Sequence, residues 1–346
     1  GFNWQKTLAK QNHNLTYGVQ YRNMDYDLTS SQSDIETQHK GVFLQDDWRL
    51  KNDVVLGLGL RYDRHSMDMR FFNASDRDKS GTDDNSQLSP KLSVTKQLSS
   101  SEAVYASASS VFRPPTESDY NRWSGNYFVW ANNPEKISNT LGIANLAEWQ
   151  QRIGVLKPEH GMSYELGWKK QFGDKLGWRV TGFYNDINDY IAVYVSNAIR
   201  GFPPTYNIGN AKIKGVEISS DYTFNEHWKS VVTFTRQKGS KSGDPLDVNS
   251  TTLNNIPENT LNLGLRYQPN ENFRAALDTR YIGRRAGVGF ERSLGGHVLT
   301  DLSFMLKHHN LTYLFAVCNI FDKQYQESTG YPMPGTTYSV SCQLKF

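Results

Sequence analysis

The sequence has no long hydrophobic run, few cysteines and little net charge, and each of these absences excludes a class of protein. No segment of the 346 residues approaches the run of about 18 apolar residues that a membrane-spanning helix requires. Two cysteines are too few for a disulfide-rich scaffold. The net charge of +3 arises from basic residues that are spread along the chain, whereas nucleic-acid binding requires a concentrated basic stripe. We therefore expect no nucleic-acid partner.

Aromatic residues are frequent in a chain that is otherwise polar. Tyr, Phe and Trp number 19, 17 and 8, and together they make up 13% of a sequence whose mean hydropathy is −0.63. A transmembrane β-barrel combines these properties, because only every second residue of a strand meets lipid and because aromatic girdles lie at both membrane interfaces. The composition therefore favours this class.

Apolar and polar residues alternate along several segments, most clearly in the C-terminal "TTYSVSCQLKF". There Tyr338, Val340, Cys342, Leu344 and Phe346 share one face. The segments "NLTYGVQYR", "VLGLGLRYDR", "TLNLGLRYQ" and "FRAALDTRY" repeat the pattern. A period of two predicts β-strands. A soluble antiparallel sandwich also alternates, but here the apolar faces repeatedly end in Tyr or Trp, as an interface girdle requires.

Short polar turns alternate with longer polar loops along the chain. The turns fall at "AKQNHN", "LKND", "LSSSE", "FGDKLG", "FNEHW", "QPNEN" and "KHHN", and the loops near residues 28–37, 69–86, 113–158, 195–204, 238–257, 284–297 and 327–336. Outer-membrane barrels have tight periplasmic turns and extended extracellular loops. Seven turns and seven loops predict an all-β chain of about fifteen antiparallel strands.

An odd number of strands does not close a bacterial barrel, which has an even number. An open edge in lipid would leave backbone groups unpaired. The opening "GFNWQKTLAK" has no signal-peptide pattern and already reads as mid-strand sequence. We therefore expect the strands to belong to a barrel of about 22, as in plugged outer-membrane transporters, with roughly seven strands upstream of this sequence.

Seven stretches resemble, in the same order, the C-terminal part of the TonB-dependent outer-membrane receptors. They are "GVFLQDDWRL", "VVLGLGLRYDR", "LSPKLSV", "SVFRPPTESDY", "LKPEHGMSYELGWKKQF", "NIGNAKIKGVEISSDY" and "NIFDKQY…PGTTYSVSCQLKF". The resemblance spans almost the whole chain. It implies that residues 1–346 are the C-terminal part of such a receptor barrel, and that the family's N-terminal plug, its TonB-binding segment and the first strands lie outside this sequence.

The resemblance also implies a function and a location. Receptors of this family lie in the bacterial cell outer membrane as multi-pass barrels, surrounded by lipid and lipopolysaccharide. They import scarce small-molecule ligands such as iron–siderophore complexes, haem or cobalamin, with energy from the TonB–ExbB–ExbD complex. An iron–siderophore complex is the first candidate ligand, and no resident cofactor is implied. Phe346 matches the C-terminal aromatic signal for outer-membrane assembly.

Two other classes remain open at this point. A passive porin or solute channel would be a complete barrel of about fourteen strands. A structural or adhesive barrel would have no saturable small-molecule ligand. An enzyme is not indicated, because no nucleophile or oxyanion-hole motif accompanies the carboxylate-rich segments.

The longest connection, residues 113–159, contains the candidate ligand-binding residues. Loops of this length are usually functional or disordered, and this one is rich in aromatic residues, which offer stacking area to a bulky, partly planar ligand. Arginines in the loop offer fork-shaped donors to carboxylate or phenolate oxygens. The candidates are Arg113, Tyr120, Arg122, Trp123, Tyr127, Phe128 and Trp130. The alternative is that the rings pack the loop against its neighbours or against lipopolysaccharide.

Two smaller groups of residues raise further hypotheses. His65, Met67 and Met69 share one face and have the chemistry of soft-metal ligands, although both methionines also suit a lipid or loop contact. Cys318 and Cys342 lie on adjacent predicted strands, and a symmetric hairpin would set them opposite each other. A slipped register would remove that pairing, so we expect two unbridged cysteines.

Overall fold

The computed structural model describes residues 1–28, 33–71, 79–119, 156–193, 205–245, 247–287, 293–328 and 330–345. Most of these residues lie in seventeen β-strands. The strands are β1 (Phe2–Lys10), β2 (His13–Leu28), β3 (Ser33–Leu50), β4 (Val54–Phe71), β5 (Lys79–Ser99), β6 (Glu102–Arg113), β7 (Glu159–Phe172), β8 (Leu176–Val193), β9 (Thr205–Thr223), β10 (Trp228–Ser242), β11 (Asn259–Asn270), β12 (Phe273–Ile282), β13 (His297–His308), β14 (Leu311–Cys318), β15 (Gln326–Ser328), β16 (Tyr331–Pro332) and β17 (Thr337–Leu344).

Fifteen of the strands form one antiparallel sheet, in which each strand pairs with the next along the chain. The order runs from β1 to β14 and ends with β17, while β15 and β16 form a separate two-stranded hairpin within the connection between β14 and β17. The predicted number of strands is confirmed, and all seven predicted short turns join the strands expected. We call the edge with these turns the turn end and the opposite edge the loop end.

The strands reach further toward the loop end than the sequence indicates. The predicted loops near residues 28–37, 69–86 and 238–257 are too wide, because β3 begins at Ser33, β4 runs to Phe71, β5 begins at Lys79 and β10 runs to Ser242. The pairing of β3 with β4 continues without interruption from Leu50↔Val54 to Ser33↔Phe71. Polar residues on both faces gave these segments the composition of loops although they are paired strands.

One face of the sheet, which we call the outer face, exposes large apolar side chains. Leu58 on β4, Leu263 on β11 and Leu344 on β17 are 45%, 41% and 49% exposed. Residues directly opposite each other on paired strands share a face, so the register extends this surface across the sheet. On β17 the predicted apolar face is confirmed for Tyr338, Val340, Cys342 and Leu344, whereas Phe346 lies outside the described residues.

The opposite, inner face is polar and hydrogen-bonded. On β4, the guanidinium of Arg61 donates to Asp63 at 2.7–2.9 Å and to the Gln20 side chain at 3.0 Å. Further along the sheet, the Tyr105 hydroxyl lies 2.6 Å from Thr181 Oγ1. The Tyr105 ring crosses Gly167 so closely that a Cβ there would lie 2.2 Å from the ring. Any larger residue at position 167 would therefore have to displace the Tyr105 ring.

The cysteines lie on different faces. Cys318 faces Thr337, and Cys342 faces Tyr313. Residues 318 and 342 therefore belong to alternate rows, which point to opposite sides of the sheet. Both thiols are free and exposed. The symmetric register that would pair them is wrong by five residues, since Cys318 faces position 337 and not 342.

Among the described residues, no helix combines the length and the hydropathy that a bilayer crossing demands.

Candidate functional site

The candidate site lies at the loop end, where the longest connection leaves β6 and enters β7. Arg113 is the last residue of β6 and faces Glu159, the first residue of β7. The chain between them begins with "PPTESD". Proline cannot donate to a strand ladder, so the pair of prolines at 114–115 ends β6 and turns the chain away from the sheet.

Arg113 joins the two ends of this connection. Its Nη1 donates to Glu159 Oε1 at 3.1 Å, and its Nη2 donates to Asp119 Oδ2 at 2.8 Å. Asp119 also accepts hydrogen bonds of 2.9 Å from the backbone N–H and the hydroxyl of Thr116. The Arg113 side chain remains 40% exposed. The predicted ligand donor therefore also fixes the base of the loop.

Glu159 is the buried centre of this anchor. It is only 6% exposed, and its Oε1 also accepts a 2.9 Å hydrogen bond from the backbone N–H of Ile191 on β8. Burial raises the pKa of Glu159 above its ordinary value, and the hydrogen bond from Ile191 and the charge of Arg113 only partly oppose that effect. Burial likewise raises the pKa of the neighbouring Tyr190 hydroxyl, with a smaller contribution from Glu159.

The other six predicted ligand-binding residues lie outside the described residues. They are Tyr120, Arg122, Trp123, Tyr127, Phe128 and Trp130. Their role in ligand binding stays a prediction. What the structure adds is the position of the two described ends of this connection, which the Arg113 anchor holds together.

The predicted soft-metal residues lie on one face, as expected, and this face points inward. Met67 and Met69 are 1% and 6% exposed and pack in an apolar cluster with Ile35 and Leu156, with Tyr26 at its margin. Leu156 belongs to the far end of the long connection, so the cluster is a second attachment of that loop to the sheet. The alternative of a loop contact for the two methionines is thus confirmed, and the lipid contact is wrong.

His65 is the polar member of this group. Its Nδ1 is buried and has no hydrogen-bond partner, and His39 lies directly opposite on β3. Burial lowers the pKa of His65 below its ordinary value, and the proximity of His39 lowers it further, while Asp83 and Glu117 raise it by less. Among the described residues, no group of three or more His, Cys, Asp or Glu side chains is arranged to hold a metal. Metal binding by His65 and the methionines stays a prediction.

A second buried ionic cluster at the loop end was not predicted. Lys241, near the end of β10, donates to Asp244 at 2.6 Å and to Asp247 at 2.9 Å, and the side chains of Lys241 and Asp244 are each 1% exposed. The Tyr206 hydroxyl on β9 donates to Asp244 at 3.2 Å. Burial of a charge is costly unless it is paired, so this cluster fixes the connection between β10 and β11. The spacing in "KSGDPLD" was its only sequence signal.

Comparisons with known proteins agree with this architecture. A family model described as "TonB dependent receptor-like, beta-barrel" matches residues 1–318. The metal-pseudopaline receptor CntO of Pseudomonas aeruginosa is 25% identical over 286 aligned residues, covering 78% of this chain and 35% of the relative. The probable TonB-dependent siderophore receptor PirA of Acinetobacter baumannii is 23% identical over 394 aligned residues, covering 100% of this chain and 48% of the relative.

Solved structures show the same fold. The copper transporter OprC has a TM-score of 0.72 at 19% identity, with 99% of this chain and 56% of that chain covered. The closed form of the ferric-catecholate import receptor Fiu from E. coli K12 has a TM-score of 0.67 at 18% identity, with 99% and 54% covered. The predicted β-barrel fold is therefore confirmed. The chain spans about half the length of these structures and half or less of the two relatives.

Proposed function

Because the chain belongs to the TonB-dependent receptor family, whose barrels lie in the outer membrane, we propose that the full-length protein is a multi-pass receptor of the bacterial cell outer membrane that imports a scarce ligand. The outer loops would capture the ligand, with an iron–siderophore complex as the first candidate. The N-terminal part of the protein would contribute the plug and the contact with the TonB–ExbB–ExbD complex, which supplies the energy for import.

The observation that carries this proposal is the division of the sheet into two faces and two edges. The outer face exposes leucines, as a lipid-facing wall requires. The inner face carries paired charges, and short turns lie at one edge while long connections lie at the other. A receptor needs this polarity, because ligand arrives at the loop end and leaves at the turn end.

The long connection between β6 and β7 is the proposed ligand-binding loop. Two described attachments, the Arg113–Glu159–Asp119 anchor and the packing of Leu156 on Met67 and Met69, hold its ends over the inner face. Fixing both ends reduces the entropy that the loop would lose on binding. The aromatic residues between these ends would then supply the contact area for the ligand.

The first experiment measures binding and import by the full-length protein. Cells grown under iron restriction supply the protein, and mass spectrometry with visible absorbance identifies the small molecule that co-purifies. The ligands named for relatives include metal–pseudopaline, siderophore and copper, so metal content is measured as well. Saturable, TonB-dependent uptake is expected. Uptake that does not saturate and needs no TonB would indicate a passive channel instead, and no uptake or binding would indicate a structural or adhesive barrel.

The second experiment tests the loop. The triple substitution Trp123→Ala, Tyr127→Ala and Trp130→Ala should weaken ligand binding by at least about tenfold, because each stacked ring contributes roughly 1 kcal/mol. The control is Phe321→Ala with Tyr331→Ala, which removes two exposed aromatic rings from the connection between β14 and β17. Unchanged affinity in the triple variant would contradict a ligand-binding role for the loop.

A further inference from the structure

A histidine at the loop end of the sheet is buried with one ring nitrogen unpaired. His297 is the first residue of β13 and faces Ile282 on β12. The next row along is the exposed outer pair Tyr281 and Val298, so the side chain of His297 points to the inner face. Only 5% of His297 is exposed, and its Nε2 has no hydrogen-bond partner among the described residues. Buried polar groups are usually paired, so this nitrogen requires an explanation.

The side chain that packs on His297 comes from the connection between β14 and β17. The ring centroids of His297 and Tyr325 lie 4.6 Å apart. Tyr325 immediately precedes the β15–β16 hairpin, and its carbonyl accepts a 3.0 Å hydrogen bond from the backbone N–H of Met333, which immediately follows the hairpin. The base of the hairpin is thus attached to the inner face of the sheet through the contact between Tyr325 and His297.

Arg285 makes a second attachment of the same hairpin. It lies in the connection between β12 and β13, where its backbone exchanges hydrogen bonds of 3.0 and 3.2 Å with that of Leu294. Its Nη2 donates to the backbone carbonyl of Glu327 and, at 3.4 Å, to that of Gln326, both on β15. The hairpin therefore depends on one aromatic contact and one guanidinium, and both lie close to His297.

The root of the β14–β17 connection is held separately, by a network without histidine. The Asn319 side chain donates to the carbonyl of Lys323 at 3.0 Å and accepts a 2.8 Å hydrogen bond from its N–H. The carbonyl of Asn319 accepts a 2.8 Å hydrogen bond from the hydroxyl of Thr336, and the N–H of Thr336 donates to Asp322 at 3.0 Å. This network leaves the root closed when the hairpin beyond it separates from the sheet.

The charges around His297 favour its neutral form. Burial lowers the pKa of His297 most, and the charges of Arg285 and Arg280 lower it as well. A hydrogen bond with the Gly295 backbone and the charge of Glu327 oppose this effect without cancelling it. The charged groups around the imidazole thus come from β12, from the connection that follows it and from β15.

Protonation would make this position unfavourable. A neutral imidazole carries one N–H, whereas an imidazolium carries two. The second N–H would have no acceptor at Nε2 of His297, and the new charge would be buried near two guanidinium groups. An unpaired buried charge costs more than an unpaired neutral group. Protonation therefore favours a state in which water reaches the ring, and that state requires Tyr325 to leave it.

We propose that the β15–β16 hairpin is a pH-sensitive latch over the inner face at the loop end, closed while His297 is neutral and released when His297 is protonated. Tyr325 and Arg285 are the contacts that hold it closed. Under the proposed function the inner face at this end borders the mouth through which ligand enters, so the latch would regulate access to that mouth. This consequence rests on the proposed function, whereas the latch itself does not.

The test is amide hydrogen exchange of the full-length protein in detergent, measured by mass spectrometry from pH 8 to pH 5 and corrected for the effect of pH on intrinsic exchange. An isolated two-stranded hairpin is only marginally stable, so its amides lose protection once it leaves the sheet. The released imidazole has an ordinary pKa of about 6.5. The closed latch is therefore most stable above pH 6.5 and weakens as the pH falls toward the pKa of the buried ring.

In the wild-type protein the opening equilibrium of the hairpin should rise by up to about thirtyfold between pH 8 and pH 5. The amides of Lys323 and Thr336, at the root of the connection, serve as the internal reference. They should keep their protection, because the root network contains no histidine.

Three variants assign the effect. His297→Gln keeps a polar side chain that does not titrate, so hairpin protection should change by less than about threefold over the same pH range. His308→Gln, at the turn end, is the matched control and should keep the wild-type dependence. Arg285→Gln should lower hairpin protection already at pH 8, and its pH dependence should be shallower, because a charge that disfavours the imidazolium is lost. The pH dependence of each variant is compared, so a general loss of stability does not obscure the result.

The proposal is overturned if wild-type hairpin protection is the same at pH 8 and pH 5, or if His297→Gln keeps the wild-type dependence. It is also overturned if the hairpin and the root lose protection together, because that result indicates general acid unfolding. Exchange is measured without ligand, and uptake is measured separately. A pH-dependent hairpin in a protein that imports nothing would leave the latch intact, and normal import with a pH-independent hairpin would leave the proposed function intact.

Discussion

Strand β4 passes through two environments, and its apolar residues change sides between them. Toward the turn end, Leu58, Leu60 and Tyr62 are exposed on the outer face. Beyond Asp63 toward the loop end, the outer face carries Arg64 and Asp68, and the apolar residues Met67 and Met69 are buried on the inner face. The same inversion occurs on β3, where Val42 and Leu44 are exposed and Ile35 is 1% exposed.

The inversion shows that the surrounding medium decides which face is apolar. In the first region the outer face meets hydrocarbon, where exposed leucine is favourable. In the second region both faces meet water unless something covers them, and on the inner face Leu156 packs against Ile35, Met67 and Met69. The extension of β3 and β4 is therefore a water-type hairpin with a small core, continuous with a lipid-type wall.

The largest expected effect comes from a large-to-small substitution in that small core. Met67→Ala should lower the free energy of unfolding in phospholipid vesicles by about 2–5 kcal/mol, because the side chain is fully buried and its loss leaves a cavity. Leu60→Ala is the matched control on the outer face of the same strand. There lipid chains refill the space, so the loss should stay near 1 kcal/mol or below.

Denaturant titration in vesicles measures both variants. Equal losses for Met67→Ala and Leu60→Ala would show that the two regions do not differ in medium, and would contradict the inversion.

A charge substitution on the outer face should give the next largest effect. Leu58→Arg should cost about 2–4 kcal/mol of unfolding free energy, since an arginine near the middle of the lipid-facing band must lose its hydration. Ser66→Arg lies on the same face, eight positions further along β4 and directly opposite Asp84. Ser66→Arg should cost less than about 1 kcal/mol of unfolding free energy, because residue 66 lies in the part of β4 that is surrounded by water. A similar cost at both positions would mean that the band extends to residue 66.

The sequence predicted the lipid-type region better than the water-type region for a physical reason. In the wall, one medium acts on every strand, so the period of two and the terminal aromatics were sufficient to predict the fifteen strands and the outward leucines. In the extension, the apolar core consists of four residues from β3, β4 and residue 156, far apart in sequence. The polar composition of the strands in this extension therefore predicted loops.

The anchor at Arg113 was only half predictable for a similar reason. The sequence singled out Arg113 as a charged residue at the start of a long aromatic loop. Its partner Glu159 lies 46 residues further along the chain, and only the pairing of β6 with β7 brings the two together. The direction of the Arg113 side chain, toward Asp119 and Glu159 at the loop base, follows from that pairing and not from local spacing.

A smaller effect is expected from pH, and it concerns the water-type region alone. Burial and His39 depress the folded-state pKa of His65 below its ordinary value of about 6.5. The neutral side chain therefore contributes stability that is present above pH 6.5 and is lost as the pH falls through the folded-state pKa. His65→Gln should reduce the loss of unfolding free energy between about pH 8 and pH 5.

Unfolding free energies measured across that pH range for wild type, His65→Gln and His308→Gln check the prediction. His308 lies at the turn end, so its substitution should keep the wild-type dependence. If His65→Gln keeps it as well, the buried imidazole has no part in the acid sensitivity.

Substitution of the cysteines should have the smallest effect on stability, and chemical labelling of the cysteines tests most directly which face of the sheet meets lipid. Cys342 lies on the outer face of β17, opposite Tyr313 and two residues from the exposed Val340, and Cys318 lies on the opposite face at the loop end. In vesicles, a lipid-soluble maleimide should label Cys342 faster than Cys318, and a charged, water-soluble maleimide should show the reverse preference, because each reagent concentrates in a different medium.

Cys318→Ser and Cys342→Ser assign the two signals and should leave the unfolding free energy within about 0.5 kcal/mol of wild type, since both side chains are exposed. Migration on a non-reducing gel should match that under reduction. A shift between the two gels, or equal labelling of both thiols by both reagents, would require a register in which the rows of β14 and β17 do not alternate between lipid and water.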